Sequence, residues 1–436
     1  MQEEKDFISN QVEDFWFPLD NAAKIFPATL NEEYTAVFRM AAVLKERVRI
    51  KPLFEALNAL EDRFPYYKVR LKKGLFWYYL ETIHLPFSVE VDDQGFCRSF
   101  QSSDLLNRIL VRNNTISVEF SHILTDGSGG LMFLKSILMT YFEKCGTHIS
   151  DEVEYARPKE AVKEEEFEDA YQRYFRKDSP LVSKIPPAFH LPYSLKKKPR
   201  FETQITILPL KEVLKAVKEK SYSITVYLVS VYLMVLQQIF EKLDETEKRK
   251  SHKILRINVP INLRAIYPSK TMRNFSLFVR PEIDLRMGQY TFDEILKKVH
   301  HFIQLKADKK QVNQVISRNV GGEKRLEVRS LPLFLKNMFL NLKHNSLGPA
   351  LYSGVITNLG KVDFSAEVNP YIDYLIFTAP PPPKTLKVSC GIIGFDDKLV
   401  LSFGNISTSM ELENRFFGFL ADQGVSSQIV KPFSME

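Results

Sequence analysis

A histidine and an aspartate four residues apart form the most compact chemical arrangement in this chain of 436 residues. They are His122 and Asp126, in a His-x-x-x-Asp-Gly motif that ends at Gly127. Neutral imidazole has a pKa near about 6.5, so it can accept a proton close to neutral pH. A positioned base of this kind typically contributes about 10²–10⁴ in rate. The motif therefore indicates general-base catalysis, with the carboxylate holding either the imidazole or a basic residue that fixes the loop.

The segment before the motif predicts the strand that positions the histidine. Within residues 115–122, Ile116, Val118 and Phe120 share one parity, and His122 continues it. Because alternate side chains of a strand point to the same face, the imidazole is expected to point inward at the end of this strand.

The residues after the motif predict a turn and then a helix. Ser128-Gly129-Gly130 is expected to let the chain turn tightly, before an apolar helix over residues 131–142. Asp126 could instead cap this helix by accepting backbone N–H groups, with His122 a core histidine. The spacing alone leaves both interpretations open and favours the structural one.

The length of 436 residues predicts two domains or one large domain. Composition predicts a folded protein, since 44% of the residues are hydrophobic and 26% are charged. The net charge of +7 is compatible with an anionic ligand such as a phosphorylated carrier, and is too small to indicate nucleic acid binding. Three scattered cysteines, Cys97, Cys145 and Cys390, indicate a reduced, cytoplasmic setting without disulfides or a metal site. The apolar stretch over residues 224–240 is shorter than a membrane span of about 20 residues and predicts a buried helix.

The chain alternates helical and strand patterns in two parts, which predicts two α/β lobes that meet at a cleft. We place the N-terminal lobe at residues 1–185 and the C-terminal lobe at residues 186–436. Residues 150–200 between the patterned parts are interpreted as a charged helix around Glu164-Glu165-Glu166 and a proline-rich linker. The basic run at residues 196–198 could meet coenzyme A phosphates or an acidic carrier, although a solvated linker is favoured.

The motif and three further segments resemble the coenzyme A-dependent acyltransferase superfamily, which includes chloramphenicol acetyltransferases, condensation domains, alcohol acetyltransferases and wax-ester synthases. Residues 121–130 read Ser-His-Ile-Leu-Thr-Asp-Gly-Ser-Gly-Gly, like the superfamily's active-site motif. The other segments are Asn258-Val-Pro-Ile-Asn-Leu-Arg264 with Met272-Arg-Asn-Phe275, then Thr357-Asn-Leu-Gly360, then the C-terminal stretch from Leu399. They occur in the superfamily's order and cover nearly the whole chain.

The resemblance implies an α/β fold, an α+β two-layer sandwich in each of two chloramphenicol-acetyltransferase-like lobes, with a tunnel between them. His122 would be the general base that deprotonates a hydroxyl or amine acceptor. Asp126 would be a structural carboxylate paired with Arg264, and Gly127 would permit the tight turn out of the strand. Asn274 and Asn358, and more weakly Thr357, could orient the acceptor or stabilise the oxyanion, or could simply form loop hydrogen bonds.

The resemblance also implies the substrates. Acyl-CoA would be a co-substrate, no cofactor would be permanently bound, and the acceptor would be a small-molecule alcohol or amine. Condensation domains usually carry two adjacent histidines, and here the first is Ser121; the plant branch has Asp-Phe-Gly-Trp-Gly where this chain has Ser402-Phe-Gly-Asn-Ile. These departures favour an alcohol acetyltransferase-like enzyme. The alternatives are a condensation-type enzyme with an acyl carrier protein donor and a non-catalytic binding module.

Overall fold

The molecule consists of mixed sheets covered by helices. The structure is a computed structural model that describes residues 15–93, 95–150, 153–177 and 185–431, except for the side chains of residues 342–347. Its strands are Trp16–Pro18, Val37–Leu44, Val69–Lys73, Tyr78–Thr82, Val89–Val91, Asn107–Arg112, Thr115–Ser121, Glu202–Pro209, Ile254–Asn262, Ser276–Val279, Glu282–Asp284, Gly354–Val362, Ile372–Thr378, Val388–Phe395, Lys398–Asn405 and Gln428–Val430.

Helices pack with the sheets in the hydrophobic cores. The α-helices are Phe26–Thr29, Ile50–Leu60, Gly127–Lys144, Ala170–Arg173, Leu210–Lys220, Ile224–Glu241, Glu245–Lys250, Phe292–Lys306, Lys309–Lys324, Leu326–Ser330, Leu333–Leu347 and Glu411–Asp422. The short 3₁₀ helices are Ala23–Ile25, Glu61–Arg63, Pro65–Tyr67, Glu164–Glu166, Leu263–Ala265, Leu285–Met287, Pro349–Leu351 and Asn369–Tyr371.

A five-stranded sheet forms the centre of the first lobe and includes the strand Thr115–Ser121. Both faces of that strand are buried. Its apolar face packs in one hydrophobic core with the helices Ile50–Leu60 and Gly127–Lys144. On its polar face, Glu119 accepts a hydrogen bond of 2.8 Å from Arg39. Because this carboxylate is fully buried beside a guanidinium, the polar face is also sealed inside the lobe.

The edge of this five-stranded sheet comes from the far end of the chain. The strand Ile372–Thr378 pairs antiparallel with Val37–Leu44, so the first lobe is completed by a segment of the second half. The lobe boundary between residues 185 and 186 stays a prediction. The strand Ile372–Thr378 follows that boundary in sequence but belongs to the sheet of the first lobe, so no single boundary in the sequence separates the two lobes.

An eight-stranded sheet forms the second lobe. Alternation along its central strands places one face in a hydrophobic core with the helix Ile224–Glu241 and the opposite face toward the first lobe. Gly391 lies on that opposite face, where a Cβ atom would stand 2.2 Å from the carbonyl oxygen of Phe377. The two sheets therefore approach each other backbone to backbone at this point. The prediction of an α/β fold with two lobes is confirmed.

The helix Ile224–Glu241 is long and apolar enough to cross a bilayer, and 72% of it is buried inside the protein. A buried core helix passes the same test of length and composition. This location agrees with the buried helix predicted for residues 224–240.

Two local predictions were wrong. The acidic run forms only the 3₁₀ turn Glu164–Glu166, because Glu166 is buried against Arg63, with 2.6 Å between Oε2 and Nη1. The expected tight turn over residues 128–130 is instead the first turn of the helix that begins at Gly127. The less favoured alternative of an anion site at the basic run is not supported, since Lys196, Lys198 and Arg200 pair with glutamates. Residues 178–184 of the predicted linker lie outside the described residues.

Candidate active site

His122 lies one residue beyond the strand Thr115–Ser121, at the boundary of the two lobes. Its backbone N–H donates to the carbonyl of Ala36 at 2.9 Å, which continues the sheet pairing by one residue. The imidazole stacks on Phe26 with ring centroids 5.5 Å apart, and Phe38 lies at 4.7 Å. These aromatic contacts place the imidazole on the apolar side of the strand and fix the orientation of the ring.

The hydrogen bonds of the imidazole define its tautomer. Nδ1 lies 3.2 Å from the backbone carbonyl oxygen of Thr125. Because a carbonyl can only accept, the proton of the neutral ring is on Nδ1 and the lone pair is on Nε2. The side chain of Asn274 also interacts with the ring. In this tautomer the lone pair of Nε2 is the group of the ring that can accept a proton.

Burial lowers the pKa of His122 below its ordinary value, although the negative charge of Asp126 and the hydrogen bonds with Thr125 and Asn274 act in the opposite direction. A lowered pKa keeps the imidazole neutral at pH 7. Neutral imidazole is the form that accepts a proton, so the environment favours a base.

Asp126 does not touch the imidazole and instead organises the loop around it. Its Oδ1 accepts from the backbone N–H groups of Ser128 and Gly129, both at 3.1 Å, which caps the helix Gly127–Lys144. Its Oδ2 accepts from the backbone N–H of Phe275 at 2.7 Å. The carboxylate therefore satisfies donors from both lobes.

Arg264 completes this arrangement from the second lobe. Its Nη1 donates to Oδ2 of Asp126 at 2.9 Å, and its other N–H groups donate to the carbonyls of Thr271 and Arg273. Burial alone would raise the pKa of Asp126, but the charge and hydrogen bond of Arg264, with the backbone donors, keep that pKa below its ordinary value. The two residues that the sequence paired are in direct contact.

Asn274 supports the backbone of His122. Its Nδ2 donates to the carbonyl of His122 at 2.9 Å and to Oδ2 of Asp20 at 3.0 Å. Both amide hydrogens are used in these bonds, so the geometry favours the structural alternative over an oxyanion donor. Asp20 itself is fully buried, and its Oδ1 accepts from the backbone N–H of Ala23.

The glycines of the motif are needed for space. Gly127 begins the helix, and a Cβ there would stand 2.7 Å from Cδ2 of Leu359 in the second lobe. A Cβ at Gly129 would lie 2.3 Å from the carbonyl oxygen of Met272. The expected role of Gly127 in a tight turn was wrong, because the residue is helical and serves close packing between the lobes.

Thr357 and Asn358 are neighbours on the strand Gly354–Val362 and point in opposite directions. Asn358 donates from Nδ2 to the hydroxyl of Thr225 at 3.0 Å, on the helical side of the sheet. Thr357 has the same parity as Leu359, which packs near Gly127, and is therefore on the face toward the first lobe. Its hydroxyl makes no hydrogen bond to a side chain in the described ranges. Of the two, Thr357 is the one on the face toward the first lobe.

Two cavities of the structure lie away from His122. One has a volume of about 180 Å³ and contacts Arg49 and Tyr141; the other, of about 810 Å³, contacts Arg70 and Tyr79. The tunnel between the lobes stays a prediction.

Asp20 and Phe26 are site residues that the sequence analysis missed. Phe26 stacks on the imidazole from the short helix Phe26–Thr29, and Asp20 holds Asn274 across 254 positions of sequence. Neither lies in a motif, and contacts this distant in sequence leave no local pattern.

Solved structures resemble the chain over almost its whole length at low sequence identity. They include polyketide synthase associated protein 5 from Mycobacterium tuberculosis, with TM-score 0.59, 13% identity, and coverage of 92% of this chain and 96% of that chain. TRI3 trichothecene 15-O-acetyltransferase from Fusarium sporotrichioides has TM-score 0.60 and 10% identity, with 94% of each chain covered. The condensation domain of the Monacolin K polyketide synthase MokA has TM-score 0.58 and 10% identity, with 94% and 96% covered.

No family model and no curated protein sequence matches the chain. The structural relatives define the class of fold: the chain has the chloramphenicol-acetyltransferase-like fold of condensation domains and acyltransferases. The fold that the sequence resemblance implied is confirmed.

Proposed function

We propose that this protein is an acyltransferase that moves an acyl group from a thioester, with acyl-CoA as the donor, to a hydroxyl or amine acceptor. The state of His122 is the observation that supports this most directly. Its Nδ1 faces a carbonyl at 3.2 Å, Nε2 is left as an acceptor, and burial keeps the ring neutral. An acetyltransferase and a condensation domain among the solved structures of this fold add support.

The reaction would proceed with His122 as base and then as acid. Nε2 takes the proton of the acceptor hydroxyl or amine while the acceptor oxygen or nitrogen bonds to the thioester carbonyl carbon. The tetrahedral intermediate then breaks its C–S bond, and the imidazolium returns the proton to the leaving thiolate. No covalent acyl-enzyme forms, because both substrates are bound together. Holding two reactants in line can recover about 7–11 kcal/mol of the barrier.

Other residues would position the base and stabilise the intermediate. Asp126 and Arg264 join the lobes beside the motif, and Asn274 holds the backbone of His122. Thr357 is the proposed donor to the oxyanion, since its hydroxyl faces the first lobe and has no described side-chain partner.

The test is release of free thiol from a panel of acyl-CoAs in the presence of mixed alcohols and amines. We expect wild-type protein to release thiol only when an acceptor is present. His122→Ala should lower kcat/KM by about 10²–10⁴ while leaving the fold intact. His301→Ala, a substitution of an exposed histidine, is the matched control and should keep full activity.

Full activity in His122→Ala would exclude this histidine as the base. An acyl carrier protein tested as donor in parallel separates the two catalytic alternatives, because a condensation-type enzyme would use it in preference to acyl-CoA. A complete lack of thiol release with both donors would favour the non-catalytic binding module.

A further inference from the structure

Two arginines of the second lobe have no acidic partner among the described residues. Arg280 follows the strand Ser276–Val279, and Arg318 is in the helix Lys309–Lys324. No carboxylate within the described residues forms an ion pair with either guanidinium. Other arginines of the protein interior do have such pairs: Arg39, Arg63, Arg256, Arg264 and Arg273. Arg280, which is half-buried, therefore differs from these arginines, and Arg318 is an exposed arginine that also lacks an acidic partner.

Arg280 is half-buried and held in a fixed orientation. Its Nε donates to Oδ1 of Asn258 at 3.0 Å, and its guanidinium lies 5.9 Å from the ring centroid of Tyr352. In the described part of the chain, neither Nη atom has a hydrogen-bond partner. Anchoring through Nε alone leaves the two Nη groups as a fork, the geometry that binds oxyanions in a bidentate manner.

Arg318 supplies a second positive charge, and its electrostatic effect reaches Arg280. Its Nε donates to the side chain of the adjacent Asn319 at 3.1 Å. Burial lowers the pKa of Arg280, Tyr352 raises it, and the positive charges of Arg318 and Arg256 lower it. Burial also lowers the pKa of Arg318, although its side chain is solvent-accessible. Two cations that repel each other and have no carboxylate partner are stabilised when an anion binds to both.

Arg280 is anchored on the same face of the second lobe's sheet as Leu359, which packs near Gly127 of the motif. Asn258, which anchors Arg280, pairs with Val355 of the neighbouring strand. Leu359, four residues further along that strand, packs near Gly127. At about 3.3 Å per residue this is a path of roughly 13 Å along the sheet.

The exposed side chain of Phe278 shares this face. Its residue pairs with Pro260, which has the same parity as Asn258, and 51% of its side chain is exposed. The face beside Arg280 is therefore open, with an apolar surface next to the cations.

We propose that Arg280 and Arg318 form an anion site that binds a phosphate or carboxylate group of a substrate of His122. The assignment of that ligand as a substrate rests on the proposed function; the binding of an anion does not. The group can belong to the donor, as a phosphate of its nucleotide portion, or to the acceptor, as an acidic group.

Calorimetric titration tests the site without any turnover. The probes are coenzyme A, pyrophosphate, succinate and pantetheine, and the proteins are wild type, Arg280→Gln and Arg318→Gln. Arg286→Gln is the matched control, since it removes one positive charge from an exposed pair with Asp284 in the same lobe. We expect an anionic probe to bind wild type at least about tenfold more tightly than either site variant. Arg286→Gln should bind it like wild type, and affinity should fall with salt.

The choice of probe identifies the source of the anion. Binding of coenzyme A and pyrophosphate but not pantetheine supports a site for the donor's phosphates. Binding of succinate alone, with the same dependence on the two arginines, supports an acidic acceptor. If no anionic probe binds wild type, or if all bind the variants equally well, the proposal is wrong.

The two proposals fail separately. If wild type binds an anion through both arginines and never releases thiol, the anion site is supported and the acyltransferase proposal is wrong. If thiol release with acyl-CoA is unaffected by either substitution and no anion binds, the acyltransferase proposal is supported and the anion site is wrong. Arg318 is solvent-accessible on its helix, so Arg318→Gln tests the site even where Arg280→Gln disturbs folding.

Discussion

The Asp126–Arg264 pair and the Arg280–Arg318 pair are two groups of charges that differ in whether an acid is present. In the first, a carboxylate and a guanidinium meet at 2.9 Å, and backbone donors satisfy the remaining lone pairs. In the second, the charge of Arg318 acts on Arg280, and no carboxylate of the described residues pairs with either. A pair of opposite charges can stabilise the structure of the free protein, whereas a pair of like charges is neutralised only when a ligand of opposite charge binds. The difference teaches which charges to interpret as scaffold and which as binding site.

The largest effect is expected from breaking the satisfied pair. Arg264→Gln leaves Asp126 buried and without its cation, and losing one partner of a buried pair typically costs about 3–5 kcal/mol in the free energy of unfolding. Asp126→Ala should cost a similar amount and also remove the cap of the helix Gly127–Lys144. Urea unfolding followed by circular dichroism measures both changes.

The control for this prediction is an exposed pair in the same lobe. Arg286→Gln breaks the contact with Asp284, where 63% of the arginine side chain is exposed, and should cost less than about 1 kcal/mol. Equal stability of Arg264→Gln and Arg286→Gln would show that the Asp126–Arg264 pair does not hold the lobes together beside the motif.

Of the two groups of charges, only the Asp126–Arg264 pair should affect the pH dependence of catalysis. Because the pKa of His122 is lowered, the midpoint of the pH profile of kcat/KM is expected below about pH 6.5. Below this midpoint kcat/KM should rise about tenfold per pH unit, and at pH 7 it should be level. The carboxylate of Asp126 raises that pKa, so Asp126→Asn should move the midpoint to lower pH. Arg318→Gln should leave the midpoint in place, because Arg318 is not among the charges acting on His122.

The pH–rate profile of thiol release measures these midpoints. A midpoint above about 6.5 in wild type would contradict a neutral, desolvated base. The same desolvation makes unfolding easier in acid: the unfolded chain binds a proton at His122 near pH 6.5 and the folded chain does so at lower pH, so stability falls as pH drops through this window.

The sequence predicted the first charged site and missed the second. The motif residues form a local pattern, and Arg264 occurs in a segment that resembles the superfamily, so both could be placed before the structure was known. Strand parity likewise placed His122 among apolar side chains, where Phe26 and Phe38 contact it. Short-range patterns and a family resemblance were therefore enough to predict the fold class and the centre of the site.

The rest depends on contacts between distant residues. Arg280 looks like an ordinary surface arginine in the sequence, and its lack of an acidic partner is seen only from its contacts with Asn258 and Tyr352 in the fold. The strand Ile372–Thr378 was missed because its partner, Val37–Leu44, is more than three hundred residues away in sequence. Conversely, the basic run near residue 197 is conspicuous in sequence and is neutralised by glutamates in the fold.

The smallest expected effect provides the sharpest test of the comparison. Arg318→Gln removes a cation that has no acid to lose and that repels Arg280, so the free energy of unfolding should stay within about 0.5 kcal/mol of wild type. Adding pyrophosphate should raise the melting temperature of wild type and not that of the variant, because a ligand stabilises only the protein that binds it. Urea unfolding and thermal melting, each with and without pyrophosphate, measure the two quantities. If Arg318→Gln lowers the free energy of unfolding by more than about 1 kcal/mol, Arg318 has a structural role like that of Arg264.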